Sequence, residues 1–108
     1  MTPVGSFSLP ASHPIFAGHF PGNPIVPGAY LLAVVEHKAN DWLRAQGAGM
    51  QVAGVSSVKF TRPLRPEEIC EIALAAPSAG AVRFRLQVGD APCATGTFTL
   101  QPAGTPHD

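Results

Sequence analysis

The period of the apolar positions changes along the chain, and each change marks an element. Ser6, Phe7, Ser8 and Leu9 alternate polar and apolar, which predicts a short first strand. Residues 10–27 follow no period. Pro10, Pro14, Pro21, Pro24 and Pro27 interrupt them, and each removes an amide that a central strand would need. An ordered loop is predicted there, packed on the domain through Ile15, Phe16, Phe20, Ile25 and Val26. From 29 to 46 neither Pro nor Gly occurs, and Leu31, Leu32, Val35, Ala39, Trp42 and Leu43 recur at spacings of three and four. That pattern predicts one amphipathic helix, ended by Gly47-Ala48-Gly49. Its mostly apolar first half should be buried, while Lys38, Asp41 and Arg44 give the second half a polar side.

The remainder reads as strands. Residues 52–61 are rich in β-branched side chains and stop at Arg62-Pro63-Leu64-Arg65-Pro66. Cys70, Ile72 and Leu74 share one face of the next strand, opposite Glu71. Val82, Phe84, Leu86 and Val88 alternate with Arg83, Arg85 and Gln87, and Phe98 and Leu100 alternate with Thr97 and Thr99. Pro77-Ser78-Ala79-Gly80 and Gly89-Asp90-Ala91-Pro92 supply turn chemistry between them. A strand, a long loop, a helix and a run of antiparallel strands make an α+β arrangement. The simplest solution is a curved antiparallel sheet wrapped around one helix, with Arg83 and Arg85 on its solvent face. Two such sheets joined edge to edge would remove an exposed edge, so a homodimer is expected.

Composition narrows the function. With 108 residues the chain is one domain, residues 1–108, whose tail from about 102 should fray. Its 11 Gly and 12 Pro suggest disorder, but 45% hydrophobic residues and zero net charge argue for collapse. Zero net charge also disfavours generic nucleic-acid binding. No apolar run approaches a membrane span, and residues 1–5 show no secretory signal, so a cytoplasmic location is expected. Cys70 and Cys93 make neither a disulfide framework nor a metal site and read as buried thiols.

The informative stretch runs from His19 to Gly28. Prolines hold a loop with an imidazole at its start and a helix N-terminus at its end, where the first amides lack internal partners. Gly28 leaves room for a ligand oxygen to approach. A fixed imidazole facing such donors suits proton abstraction next to a carbonyl.

Gly18-His19-Phe20-Pro21-Gly22-Asn23-Pro24-Ile25-Val26-Pro27-Gly28 resembles the GHFPxxPxxPG signature of the β-hydroxyacyl-(acyl carrier protein) dehydratases, which have the hotdog fold. Val58-Lys59-Phe60-Thr61-Arg62-Pro63-Leu64-Arg65-Pro66 resembles the family's KFxRPvxPGD segment, with Glu67-Glu68 in place of Gly-Asp. The resemblance implies that His19 removes the α-proton of a 3-hydroxyacyl thioester while the Gly28 amide polarises its carbonyl. Phe20, Pro27, Tyr30 and Ala33 would contact substrate, although for Tyr30 packing as core is the favoured reading. No cofactor is implied, because the substrate arrives on the phosphopantetheine of an acyl carrier protein or on coenzyme A.

One position departs from the pattern. The family carries a Glu or Asp fourteen residues after the His, contributed by the partner subunit to protonate the leaving hydroxyl, and here that residue is Ala33. Glu36 lies about 60° around the helix from it and His37 about 40°. Glu36 is the candidate substitute, His37 a weaker one, and both can equally be solvent-facing. His13 is expected at the surface, and His107 belongs to the tail. Lys59, Arg62, Arg65, Arg83 and Arg85 can attract an acidic carrier or stand as scattered charges. The leading function is a 3-hydroxyacyl-(acyl carrier protein) dehydratase of fatty-acid or polyketide-type synthesis. Acyl-thioester hydrolysis on the same scaffold, and a catalytically impaired subunit that pairs with an active paralogue, are the alternatives.

Overall fold

Strand β1 (Thr2–Phe7), a single 3-10 turn (Pro14–Phe16), helix α1 (Gly28–Ala45) and strands β2 (Met50–Phe60), β3 (Cys70–Leu74), β4 (Ala81–Val88) and β5 (Ala91–Pro102) follow one another in the computed structural model, which describes residues 1–17 and 22–104. The strands form one antiparallel sheet in the order β1-β3-β4-β5-β2. The sheet curves around the helix, the hotdog arrangement that the resemblance implies.

Most inward positions come from the alternations read in the sequence; Cys93 and Ala94 are adjacent and both buried where the β4–β5 register shifts. Cys70, Ile72 and Leu74 of β3, Val82, Phe84 and Leu86 of β4, and Cys93, Ala94 and Phe98 of β5 are buried, as are Leu31, Val35, Ala39 and Leu43 of α1. The four helical positions recur every fourth residue, so they form one stripe that meets the concave face of the sheet. Phe84 and Phe98 stack at the centre, their ring centroids 4.8 Å apart. Between strand and helix, Asn40 Oδ1 accepts a 2.8 Å hydrogen bond from the Val52 amide and ties α1 to β2.

The helix ends as its glycines predict. Gly47 adopts φ +66°, and the Ala48 amide donates to Leu43 O at 3.1 Å, which closes a Schellman turn. Two expectations need correction. The first strand is Thr2–Phe7 rather than 6–9, because β1 takes its register from β3, with Thr2 opposite Leu74 and Phe7 opposite Cys70. Ser8 and Leu9 lie beyond that pairing. The first half of α1 is not fully buried either: Ala29 and Ala33 are exposed, and Tyr30, Leu32 and Val34 are half-buried. Its fully buried stripe is one row of side chains wide; Tyr30, Leu32 and Trp42 flank it half-buried. At the C-terminal end β5 is paired to Pro102, and the Ala103 amide donates to Gly49 O at 2.9 Å; residues 105–108 of the expected frayed tail, His107 among them, lie outside the described residues.

Candidate active site

The start of α1 is held in place from two directions. Pro27 is the N-cap and makes no side-chain cap, so Leu31 is the first residue to close a helical bond, to Pro27 O at 3.0 Å. The amides of Gly28, Ala29 and Tyr30 therefore find no acceptor among the described residues. Just before them, the Val26 amide donates to Leu64 O at 2.8 Å and pins the approaching loop to the segment after β2.

A cleft of about 480 Å3 opens at this helix end, lined among others by Ile25, Val26, Gly28, Leu31, Phe60 and Leu64. The side chain that decides its shape is Phe60. A Cβ built on Gly28 would stand 2.9 Å from Phe60 Cζ, so glycine at this position is what lets the ring lie against the helix end. The cleft thus combines an apolar wall with Gly28 at the positive end of a helix, whose amide has no acceptor among the described residues and could polarise a carbonyl oxygen brought to it.

Its far wall is braced by an ion pair. Arg62, which lines the cleft, forms a two-pronged contact with Glu68, Nη1 to Oε1 at 3.1 Å and Nη2 to Oε2. Glu68 Oε1 also accepts the Arg65 amide at 2.7 Å. The hydrogen bonds from Arg62 hold the Glu68 carboxyl below its ordinary range, against partial burial. Glu67 has φ +70°, a left-handed conformation, at the place where the resembled motif carries Gly. Its amide donates to Leu9 O and its carboxylate accepts the Ala11 amide, both at 2.8 Å. Glu67 thus holds the left-handed backbone that glycine favours and tethers the turn to the N-terminal loop, while Glu68 closes the turn onto Arg62 and the Arg65 amide.

Of the residues singled out in the sequence, Gly28 lies in the cleft and Pro27 beside it as the helix cap. His19 and Phe20 fall outside the described residues. Tyr30 packs edge-on against His13, with centroids 5.9 Å apart, and does not line the cleft. His13 is half-buried rather than at the surface: its Nδ1 accepts the Ile15 amide at 3.0 Å and caps the 3-10 turn. Ala33, Glu36 and His37 are exposed. Position 33 is turned about 140° around the helix from Gly28, so it cannot meet the cleft of its own chain. His37 is engaged with Asp41 at 3.4 Å, whereas Glu36 has no side-chain partner among the described residues. Phe60 and Leu64 are site residues that the sequence reading missed. Their signal lies in the second motif, whose phenylalanine and proline turn arrive at the helix only through the fold.

Helix, wrapped sheet and cleft together define a hotdog-fold protein with a cleft at the mouth of its central helix. The profile of the ApeI-like dehydratases matches residues 2–97, and the chain belongs to that family. The 3-hydroxyacyl-(acyl-carrier-protein) dehydratase FabZ of Thermus thermophilus is 36% identical over 85% of this chain and 72% of that protein. FabZ of Caulobacter sp. strain K31 is 27% identical over 95% of this chain and 69% of its own length. Among solved structures, the dehydratase heterocomplex ApeI:P from Xenorhabdus doucetiae superimposes with a TM-score of 0.74 at 25% identity, covering 88% of this chain and 82% of that one. The fluoroacetyl-CoA thioesterase FlK shares the fold at a TM-score of 0.59 and 14% identity, over 91% of this chain and 83% of that chain. No helix among the described residues is long and apolar enough to cross a membrane.

Proposed function

We propose that the protein acts on a 3-hydroxyacyl thioester presented by an acyl carrier protein, removing water across C2 and C3 during fatty-acid or polyketide-type chain assembly in the cytoplasm. The observation that carries this reading is the coincidence of a dehydratase family match over residues 2–97 with a cleft lined by Gly28, whose amide has no acceptor among the described residues. In the proposed step the thioester oxygen accepts from the Gly28 amide, which makes the C2 proton more acidic. His19 removes that proton, the C2 electron pair forms the double bond, and the C3–O bond breaks. The hydroxyl leaves as water on gaining a proton. No electrons are exchanged with an outside carrier, so the chemistry calls for no redox cofactor.

The proton for the leaving hydroxyl needs an acid, and Ala33 has none to give. Because position 33 faces away from its own cleft, the acid is read as coming from a second subunit, joined through the unpaired edge of β2. In a homodimer Glu36 is the group on that exposed face with a free carboxyl. A second reading, favoured by the match to a dehydratase heterocomplex, is that a paralogue with Glu or Asp at the position of Ala33 supplies it.

Hydration of a 2-enoyl carrier thioester by the purified protein tests both. His19→Ala should lower the rate by about 100-fold or more, and Glu36→Gln should lower it in a homodimer, while Ala33→Glu raises it. Turnover that appears only on mixing with an acid-bearing paralogue selects the second reading. An undiminished rate in His19→Ala overturns the mechanism, and release of free thiol instead of hydration points to the hydrolase alternative.

A further inference from the structure

The turn after β2 takes hold of the long N-terminal loop at both ends. At the far end Leu64 O accepts the Val26 amide at 2.8 Å, two residues before Gly28. At the near end Glu67 forms a fork: its amide donates to Leu9 O, and its carboxylate accepts the Ala11 amide, both at 2.8 Å. The two prongs stand on either side of Pro10, which has no amide of its own to offer. From that grip the bonds run on through the loop. The His13 amide donates to Pro10 O at 2.9 Å, the Phe16 amide to His13 O at 3.1 Å and the Ala17 amide to Pro14 O at 3.0 Å, and His13 Nδ1 caps the turn. Ala17 stands two residues before His19 in the sequence.

We infer that Glu67 is a positioning residue for His19: through Ala11 and the turn that follows, its carboxylate sets where the loop carries the base relative to the Gly28 amide. The inference rests on the role proposed for His19 above. Direction is the first support. Burial of Phe16 holds the loop on the domain, but apolar burial is non-directional. The Glu67 fork is directional, so it fixes the place of the loop along the turn. The backbone of Glu67 is the second support. Its φ of +70° is a conformation that glycine, the residue of the resembled motif, adopts without strain. Glycine there would keep the bond to Leu9 and lose the one to Ala11. The side chain that bears the strain is therefore also the one that completes the near grip.

The test compares Glu67→Gly, Glu67→Ala and Glu67→Gln in the full chain, mixed with an acid-bearing paralogue if hydration of the 2-enoyl carrier thioester needs one. Glu67→Gly removes the tether together with the strain, so its urea midpoint should stay close to wild type and a lower rate is not a smaller folded fraction. Its kcat should fall by about fivefold or more with KM changed by less than about twofold, because the base is displaced while the cleft is intact. Glu67→Ala should lose as much. Glu67→Gln, whose side-chain oxygen accepts the same bond, should keep most of the rate. Amide exchange reads the tether without substrate: Ala11, His13, Phe16 and Ala17 should exchange faster in Glu67→Gly and as in wild type in Glu67→Gln, while Val26 stays protected in both. Wild-type kcat in Glu67→Gly and Glu67→Ala, with His19→Ala impaired, overturns the inference. So does a loss in Glu67→Gln as large as in Glu67→Ala, which would assign the effect to charge rather than to the tether. An undiminished rate in His19→Ala, or no turnover at all, sinks the reading of the site on which the inference rests, and exchange at Ala11 then decides alone whether Glu67 holds the loop.

Discussion

Glu67 shows how one residue can settle a loop while holding an unfavourable backbone. A left-handed conformation costs a side-chain-bearing residue about 1 kcal/mol relative to glycine. The hydrogen bond from the Ala11 amide to its carboxylate is exposed and returns a similar amount, about 1 kcal/mol. Glu67→Gly, which loses both effects, should therefore leave stability nearly unchanged. Glu67→Ala keeps the strained backbone and loses the bond, so it should unfold at lower urea, by about 1 kcal/mol. An alanine variant as stable as the glycine variant would mean that the φ of +70° carries no strain. The substitution is visible in the sequence as a departure from the resembled motif, but its meaning is not. Only the fold brings Leu9 and Ala11 beside this turn, and no local pattern announces that contact.

Among the elements, α1 is the most legible and β1 the least, for the same physical reason. A helix closes its bonds within itself, so the spacing of Leu31, Val35, Ala39 and Leu43 and the stop at Gly47 are sufficient. An edge strand of a sheet takes its bounds from its partner. The register of β1 is written in β3, far along the chain, which is why alternation at 6–9 points to the wrong residues. The helix end can be probed directly. Nothing stands within 4 Å of a Cβ added to Gly47, so Gly47→Ala tests the left-handed backbone alone. It should lower stability by about 1 kcal/mol, and Gly47→Asn by less, because asparagine tolerates that region better. Equal melting temperatures for wild type and alanine variant would remove the Schellman turn from the account of where α1 ends.

Across the whole molecule, the site is assembled from parts distant in sequence, and this limits what can be read in advance. Gly28 stands out because a helix N-terminus is a local feature with its own chemistry. Phe60, Leu64 and the Arg62–Glu68 pair reach the same cleft only because β2 and the turn after it fold back over the start of α1. That pair should also leave a mark on acid unfolding. Glu68 is held below the usual carboxylate range in the fold, mainly by the hydrogen bonds from Arg62. Its contribution is thus complete above its unfolded value, about 4.3, and is lost as pH falls through the lower folded value. In Glu68→Gln that part of the acid dependence should vanish, so the variant's loss relative to wild type is largest near neutrality and shrinks below about pH 4. A difference that stays constant from about pH 7 to about pH 3 would show that the carboxyl is not shifted.

The open margin of β2 has a consequence of another kind. Between Met50 and Phe60 there is no proline and one charged side chain, Lys59, so its register irregularities at 52–54 and 55–57 are the main features that blunt this exposed strand. An unmatched chain would carry a long template for indiscriminate strand pairing into every encounter with its neighbours. Supply of whichever subunit covers that margin then becomes a matter of proteostasis. On the proposed pairing, the two chains would have to be made together and in step, with surplus chain left to chaperones and proteases.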